Sequence, residues 1–417
     1  MEKVKTQGLD WLIVMALALM QCHHKVTLSK RDVKRAFRNC PLNQTYKELM
    51  AIVFPYKGKI MAAQHLAAPF GSVSAVYAWD RLSNAIANII LRATRAACAK
   101  WVDDFFCSHR SDVQFHGMKV LDELLSLLGL ATDEEKAVTN ADEMEVLGVE
   151  AKVDNVQQYI STRLAEDKAH KYSHHLEQCV ACDYMTPGEA QKIASRFQFA
   201  TSCAQDNIGR AWIRPFYAQG NDPMQNCRVS NWARQASWWW VLYCAYRPES
   251  RRYAQSKPRQ HIRIWVDAAG VSRHIAFVAS IGTRVVYAHC KSPDEWWDIL
   301  SERGDNQIGN QEMLSVVLAL STLGSLIDGA VVTLFCDNAG VLHGLLKGSS
   351  RCCETNQMIG RTWFEVMRRR IGLRLLRVQS KANIADLPSR KDFVLLKTMG
   401  AEEMQPCLPT TLSGRKM

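Results

Sequence analysis

Apolar and polar positions follow two different periods along the chain, and the change between them divides it. The first feature is an unbroken apolar run from Trp11 to Met20, preceded by Asp10 and followed by Gln21-Cys22. It predicts a buried helix. Lys3 and Lys5 ahead of it give it the look of a secretory signal. The run is too short to span a bilayer, which needs about 20 residues, and no other run approaches that length. Residues 26–37 (VTLSKRDVKRAF) begin with the alternation of a strand and lead into a turn. Residues 72–92 then read as a helix that Ser72 or Ser74 can cap, with Val76, Trp79, Leu82, Ile86 and Ile89 on one face. Asp80, Arg81, Asn84 and Asn88 lie on the other. Two short strands are expected over 98–108, meeting at Asp103-Asp104. A helix over 118–128 follows, then a turn at Gly129 and a hairpin over 144–153 pivoting near Gly148.

From about residue 160 the pattern turns helical. Thr186-Pro-Gly-Glu189 is a capping box with proline at the first helical position. Ala190, Ile193, Ala194, Phe197 and Ala200 continue one face. The stretch Trp238-Trp239-Trp240 precedes a basic run, Arg247, Arg251, Arg252, Lys257 and Arg259, flanked by Pro248 and Pro258. That run reads as a domain boundary, either a solvated linker or a nucleic-acid track. After it the period falls to two: Ile262, Ile264 and Val266 alternate with polar neighbours. Strands over 275–280 and 284–289, a helix over 310–325, a strand over 331–336, helices near 338–347 and 355–370, a strand over 373–378 and a short segment near 386 complete a mixed α/β sheet.

Composition adds a bias. With 417 residues, 47% of them apolar, the chain is long enough for two or three domains with real cores. Its net charge of +11 favours a polyanionic partner. The 14 cysteines are scattered, so free thiols in a reducing compartment are expected. Cys179-Val-Ala-Cys182 with His174 and His175 nearby has a metal-like spacing, but it is tight for zinc and lies in a predicted helix.

The stretch Lys100-Trp-Val-Asp-Asp-Phe-Phe-Cys107 places two like charges side by side between apolar runs. One of them takes up a proton unless a cation sits nearby. A third carboxylate, Asp32, ends the first predicted strand. If the two strands are neighbours, Asp32 and Asp103 can share two Mg²⁺ ions of the kind that activate an attacking oxygen and stabilise a leaving one. A solvated turn is the plain alternative.

The surrounding motifs carry a resemblance. Lys30-Arg-Asp32-Val-Lys-Arg-Ala-Phe37, Ala67-Ala-Pro69-Phe70-Gly71-Ser72, Trp101-Val-Asp103-Asp104-Phe, Gly129-Leu with Lys136, and Leu147-Gly148-Val149 resemble, in order, the palm motifs of reverse transcriptases. The wording is closest to retrotransposons of the DIRS type. The resemblance implies that Asp32 and Asp103 are metal ligands and Asp104 a supporting carboxylate. It implies that Phe37 is an aromatic gate against a ribose 2′-OH, that Phe70 and Gly71 lie against the incoming nucleotide, and that Lys136 protonates the leaving pyrophosphate. Phe37 could equally be a core aromatic and Lys136 an exposed lysine. Only 31 residues precede Asp32, so the fingers subdomain is expected to be truncated.

A second set of acids lies in the rear half: Asp267 (VDAAG), Glu312 (NQEML), Asp337 (FCDNA) and Asp386 (NIADLPSR). Four carboxylates converging on one sheet edge are difficult to explain without cations; four unrelated surface acids are the plain alternative. The set resembles the four-acid site of ribonuclease H. Many members carry a histidine before the last acid, and residues 376–386 have none. Five arginines over 368–377 could hold a duplex backbone or complement a helix end.

The expected fold is mixed α/β. A palm with reduced fingers spans 1–155, helical thumb and connection with the basic linker 156–258, a ribonuclease H-like domain 259–392 and a tail 393–417. The expected function is RNA-directed DNA polymerase with ribonuclease H, dependent on Mg²⁺ with Mn²⁺ as a substitute. The alternative is a non-catalytic or ribonuclease-only remnant. The resemblance implies RNA, DNA, RNA–DNA hybrid and deoxynucleoside triphosphates as partners, association with other retroelement proteins, no membrane, and an intracellular location in cytoplasm or nucleus.

Overall fold

The computed structural model describes residues 7–94, 96, 98–112, 114–203, 207–222, 224, 227–255, 259–294 and 307–409. Two compact units emerge, one of Met1–Ala165 with Glu249–Ser256, the other of Glu166–Pro248 with Lys257–Met417. Lys257 and Pro258 of the basic run lie outside the described residues.

The first unit is built on a four-stranded antiparallel sheet of β1 (Val26–Asp32), β4 (Cys98–Trp101), β5 (Asp104–Arg110) and β6 (Val138–Ala141), in the order β4-β5-β1-β6. β5 is covered on both faces, which explains why Phe105, Phe106 and Cys107 are apolar in succession and all buried. Phe105 and Cys107 face α2 (Val73–Thr94) and α3 (Gln114–Leu127). Phe106 faces the other way and packs with Leu12, Ile13 and Met20 of α1 (Leu9–Gln21). The N-terminal apolar run is therefore a buried helix of this core. In α2 the buried face is Ala75, Trp79, Ser83, Ile86 and Ile90. Ile89, expected on that face, is exposed because the buried stripe lies one position further on.

A second sheet, β10-β9-β8-β7, uses β7 (Glu143–Val146), β8 (Val149–Asp154), β9 (Tyr159–Leu164) and β10 (Ser250–Tyr253). The turn at Leu147-Gly148 matches the expected hairpin. Two features differ from expectation. Residues 159–164 form a strand, and the helical pattern begins only at Glu166. Within the basic run, Arg251 and Arg252 belong to β10 and pair with Ser161 and Ile160 of β9. A hairpin of β2 (Ala51–Tyr56) and β3 (Lys59–Gln64) stands alone, with every residue exposed.

The second unit opens with four helices: α4 (Glu166–Ala181), α5 (Pro187–Cys203), α6 (Arg210–Gly220) and α7 (Asn231–Tyr246). The expected capping box starts α5: the Thr186 N–H donates to Glu189 at 2.9 Å and the Glu189 N–H returns to the Thr186 hydroxyl at 3.2 Å. Trp240 is the hub, fully buried and stacked at 4.1 Å on Phe197. The helices join the sheet region through α6. Asn356, in the Cys353–Arg368 helix, donates to the Ala211 carbonyl at 2.7 Å. Gly360 in that same helix is crossed so closely by Trp212 that a Cβ there would lie 2.6 Å from the indole nitrogen.

The six-stranded sheet has the order β15-β14-β11-β12-β13-β16. It comprises β11 (His261–Ala269), β12 (His274–Ile281), β13 (Arg284–Lys291), β14 (Val331–Cys336), β15 (Gly372–Arg377) and β16 (Glu402–Glu403). The first three form the expected meander; β14 and β15 add in parallel on the β11 side. Residues 393–403 are part of this fold, since β16 pairs with β13 and Leu396 is fully buried. The helix Ile308–Leu323 lies against β11 and β12 and is buried nearly all round. By length and composition the stretch Ile308–Ile327 could cross a membrane, contrary to the expectation of no such run. Its all-round hydrophobicity matches its place in the core, with 67% of its apolar window buried. Among the described residues no cysteine is in a disulfide.

Candidate active sites

Register brings the front acids together. Asp32 at the end of β1 is the direct partner of Asp104 at the start of β5. Asp103 lies in the two-residue turn between β4 and β5, and its carbonyl accepts from the Val33 N–H at 2.9 Å. Burial pushes both Asp103 and Asp104 above the ordinary carboxylate range; the charge of Asp32 adds to each, while Lys30 opposes both. Lys30 stands 3.1 Å from Asp104. Lys136 stands 3.4 Å from Asp32 and 3.8 Å from Asp133. Asp104 is thus turned to an internal cation. Asp32 pairs with the exposed Lys136, whose positive charge, together with that of Lys30, also bears on Asp103. The donor set fits Mg²⁺, which takes one or two carboxylates and completes its shell with water and phosphate oxygens.

The turn itself is strained and held. Val102 has a φ of +53°, in the left-handed region that a β-branched residue avoids. Its carbonyl accepts from the indole N–H of Trp79. One residue beyond β4's centre, Lys100 is 1% exposed and paired with Asp80. Both anchors come from adjacent residues of α2, so that helix fixes the hairpin carrying Asp103. Phe37 lies in a short turn of helix (Ala36–Asn39), five residues after Asp32, and meets the Phe70 ring edge-on at 5.6 Å. Phe70 is 63% exposed, Gly71 has a φ of +88°, and Arg38 lies over the Phe70 ring at 5.8 Å. The two aromatics form one wall.

The rear acids come from four elements. Asp267 is on β11, Glu312 on the Ile308–Leu323 helix, Asp337 just past β14 and Asp386 at the first position of the Asp386–Ser389 helix. Burial, with the charges of Asp386 and Asp337 adding, pushes Asp267 up to about 6. Burial raises Glu312 to about 7, with Asp337 and Asp267 adding. Among the described residues the one group of three potential metal ligands within 4.8 Å of one another is Glu312, Cys336 and Asp337. Asp337 Oδ1 is buried without a hydrogen-bond partner. An orphaned acceptor next to a second carboxylate is what a divalent cation would satisfy, so the residues fit one.

Three side chains that the sequence reading passed over hold these carboxylates. The Ser389 hydroxyl donates to Asp267 Oδ2 at 2.7 Å, and the Asn383 amide approaches Oδ1 at 3.4 Å while donating to the Val266 carbonyl at 2.9 Å. The Asn338 amide donates to Glu312 at 3.3 Å, and its carbonyl oxygen caps the following helix through Gly340 and Val341. Asn338 was open to prediction as a helix cap following a strand. Ser389 and Asn383 lie inside the NIADLPSR motif, but the motif does not say that they bond to Asp267 of a distant strand. The arginine run divides: Arg368 and Arg369 neutralise buried Glu365, whereas Arg374 and Arg377 are exposed on edge strand β15. His174, His175, Cys179 and Cys182 do not gather into a metal site; His175 instead contacts Arg196 at 3.1 Å.

Residues 5–151 of the 417 match the family model described as reverse transcriptase (RNA-dependent DNA polymerase). No curated protein matches the sequence. Among solved structures, the chain is similar to a foamy viral protease–reverse transcriptase (dRH) in complex with double-stranded DNA, with TM-score 0.46 and 12% identity over 91% of this chain and 60% of that one. It is also similar to the foamy viral protease–reverse transcriptase with an RNA/DNA hybrid, with TM-score 0.43 and 14% identity over 90% of this chain and 46% of that one. The chain thus spans less than two thirds of the length of either.

Proposed function

We propose that the chain, with a reverse transcriptase domain at residues 5–151 as its front part, is a retroelement RNA-directed DNA polymerase with ribonuclease H. The observation that carries the reading is the register of Asp32 against Asp104, with Asp103 at the adjoining turn, inside that domain. Bound Mg²⁺, or Mn²⁺ in its stead, would supply charge neutralisation and activation of the attacking oxygen at both sites. Asp32 and Asp103 hold the front ions, with Asp104 as the supporting carboxylate tied to Lys30. The Phe37–Phe70 wall and Gly71 bound the deoxynucleotide, Phe37 excluding a 2′-OH. Lys136, exposed and 3.4 Å from Asp32, would be placed to protonate the leaving pyrophosphate.

In the rear unit Asp267, Glu312, Asp337 and Asp386 hold the ions for cutting RNA in an RNA–DNA hybrid. Asn338, Asn383 and Ser389 orient three of those oxygens, and exposed Arg374 and Arg377 offer charge to the duplex backbone. The wording of the palm motifs favours an origin in a DIRS-type retrotransposon, acting inside the cell on RNA and DNA with other retroelement proteins.

Primer extension and hybrid cleavage, assayed together in Mg²⁺, test the reading. Asp103→Asn is expected to abolish extension and spare cleavage, and Asp337→Asn the reverse. Cleavage without extension in the unaltered chain would leave a ribonuclease alone. Loss of both activities in either folded variant would refute two separate sites.

A further inference from the structure

We propose that Arg390 is the resident counter-ion of the rear site and competes with a divalent metal ion for Asp386. The inference rests on the four-carboxylate reading above and concerns how that site is kept when no ion is bound. Arg390 follows the Asp386–Ser389 helix directly, and its Nε donates to Asp386 Oδ1 at 2.7 Å. The guanidinium side chain is 70% exposed and the Asp386 side chain 38%.

The four acids meet their charge in different ways. Asp267 and Glu312 are buried, and each already has fixed donors, from Ser389 and Asn383 on one and Asn338 on the other. Asp337 keeps one oxygen without a partner. Among the described residues Asp386 alone of the four has an ion pair with a basic side chain, and that side chain is largely exposed.

An exposed ion pair is weak, because water screens it and holding a long side chain in one geometry costs entropy. It can orient a carboxylate yet give way to a doubly charged ion. The Ser389 donor sits on a short, buried side chain and stays in place; Arg390 has a long, largely exposed side chain that can swing into water. Lys136 on Asp32 in the front unit repeats the arrangement: an exposed cation on the carboxylate that an ion would take.

The sign of the effect separates this role from a structural one. If Arg390 merely props up the helix end, its removal weakens metal binding. If it competes, its removal strengthens binding. The test is a calorimetric Mn²⁺ titration of the full chain in an Asp103→Asn background, which silences the front site. Arg390→Ala is expected to tighten the rear site about two- to five-fold, the factor matching the loss of one exposed ion pair. Arg390→Lys should stay close to the parent. In an Asp386→Asn background Arg390→Ala should change nothing. Unchanged or weaker Mn²⁺ binding in folded Arg390→Ala would overturn the inference, as would equal tightening without Asp386. If Asp337→Asn titrates like its parent, the four-carboxylate reading itself fails and this inference falls with it.

Discussion

Asp267 and Glu312 are carboxylates that burial holds protonated close to neutrality, at about 6 and about 7. In the unfolded chain both ionise near 4. The folded protein therefore binds more protons than the unfolded one between those values, so stability falls as pH rises. It is fully present below about pH 4 and is lost through pH 6 to 7. Thermal melting without divalent ions should show the second unit losing a few degrees across that window. Added Mg²⁺ should restore the loss, and Glu312→Gln should flatten the slope. The hydroxyl of Ser389 acts at the same scale. Removing a donor that orients a metal ligand typically costs 10–100-fold in affinity or activity. Ser389→Ala is expected to lower hybrid cleavage by about tenfold and to weaken, not tighten, Mn²⁺ binding, the opposite of Arg390→Ala.

At the scale of elements, the hairpin bearing Asp103 depends on two contacts from α2: the indole of Trp79 on the Val102 carbonyl and the buried Lys100–Asp80 pair. Breaking a buried pair from one side leaves an uncompensated charge, at a cost of about 3–5 kcal/mol. Asp80→Ala should destabilise the first unit by that order in a denaturant titration, and adding Lys100→Met should recover much of it. The sequence made β1, β4, β5 and α2 legible, because strict periods and an Asp-Asp tip between apolar runs leave few alternatives. It assigned Asp80 to a polar outer face, since periodicity reports the sidedness of a helix and not the lysine opposite. β10 hid in a basic run because its partners are supplied by β9, far away in the chain. The β2–β3 hairpin escaped for another reason. Val53, Pro55 and Ile60 lie on one face and Ile52, Phe54 and Met61 on the other, so no alternation marks it as a strand pair. The acids proposed for both sites stand in local motifs; Ser389 and Asn383 share the motif of Asp386 but bond to Asp267 more than a hundred residues earlier, a pairing that no local pattern encodes.

At the scale of the whole molecule, the two sets of acids belong to different compact units, so damage to one need not reach the other. Residues 393–403 provide the cleanest probe of this. They extend past the last acid, yet Leu396 is fully buried in a cluster with Val278, Tyr287 and Ala385, the last of these adjacent to Asp386. β16 then pairs with β13, and Glu402 binds Arg284 at 2.7 Å. This segment braces the short helix that presents Asp386 and Ser389 from beneath. Leu396→Ala removes that packing at a cost of about 2–5 kcal/mol. It should lower the melting temperature of the second unit and reduce hybrid cleavage, while extension by the first unit stays within twofold of the parent. If extension fell in parallel with cleavage in a variant whose first unit is still folded, the two centres would be coupled through the chain and could not be treated as separable chemistries.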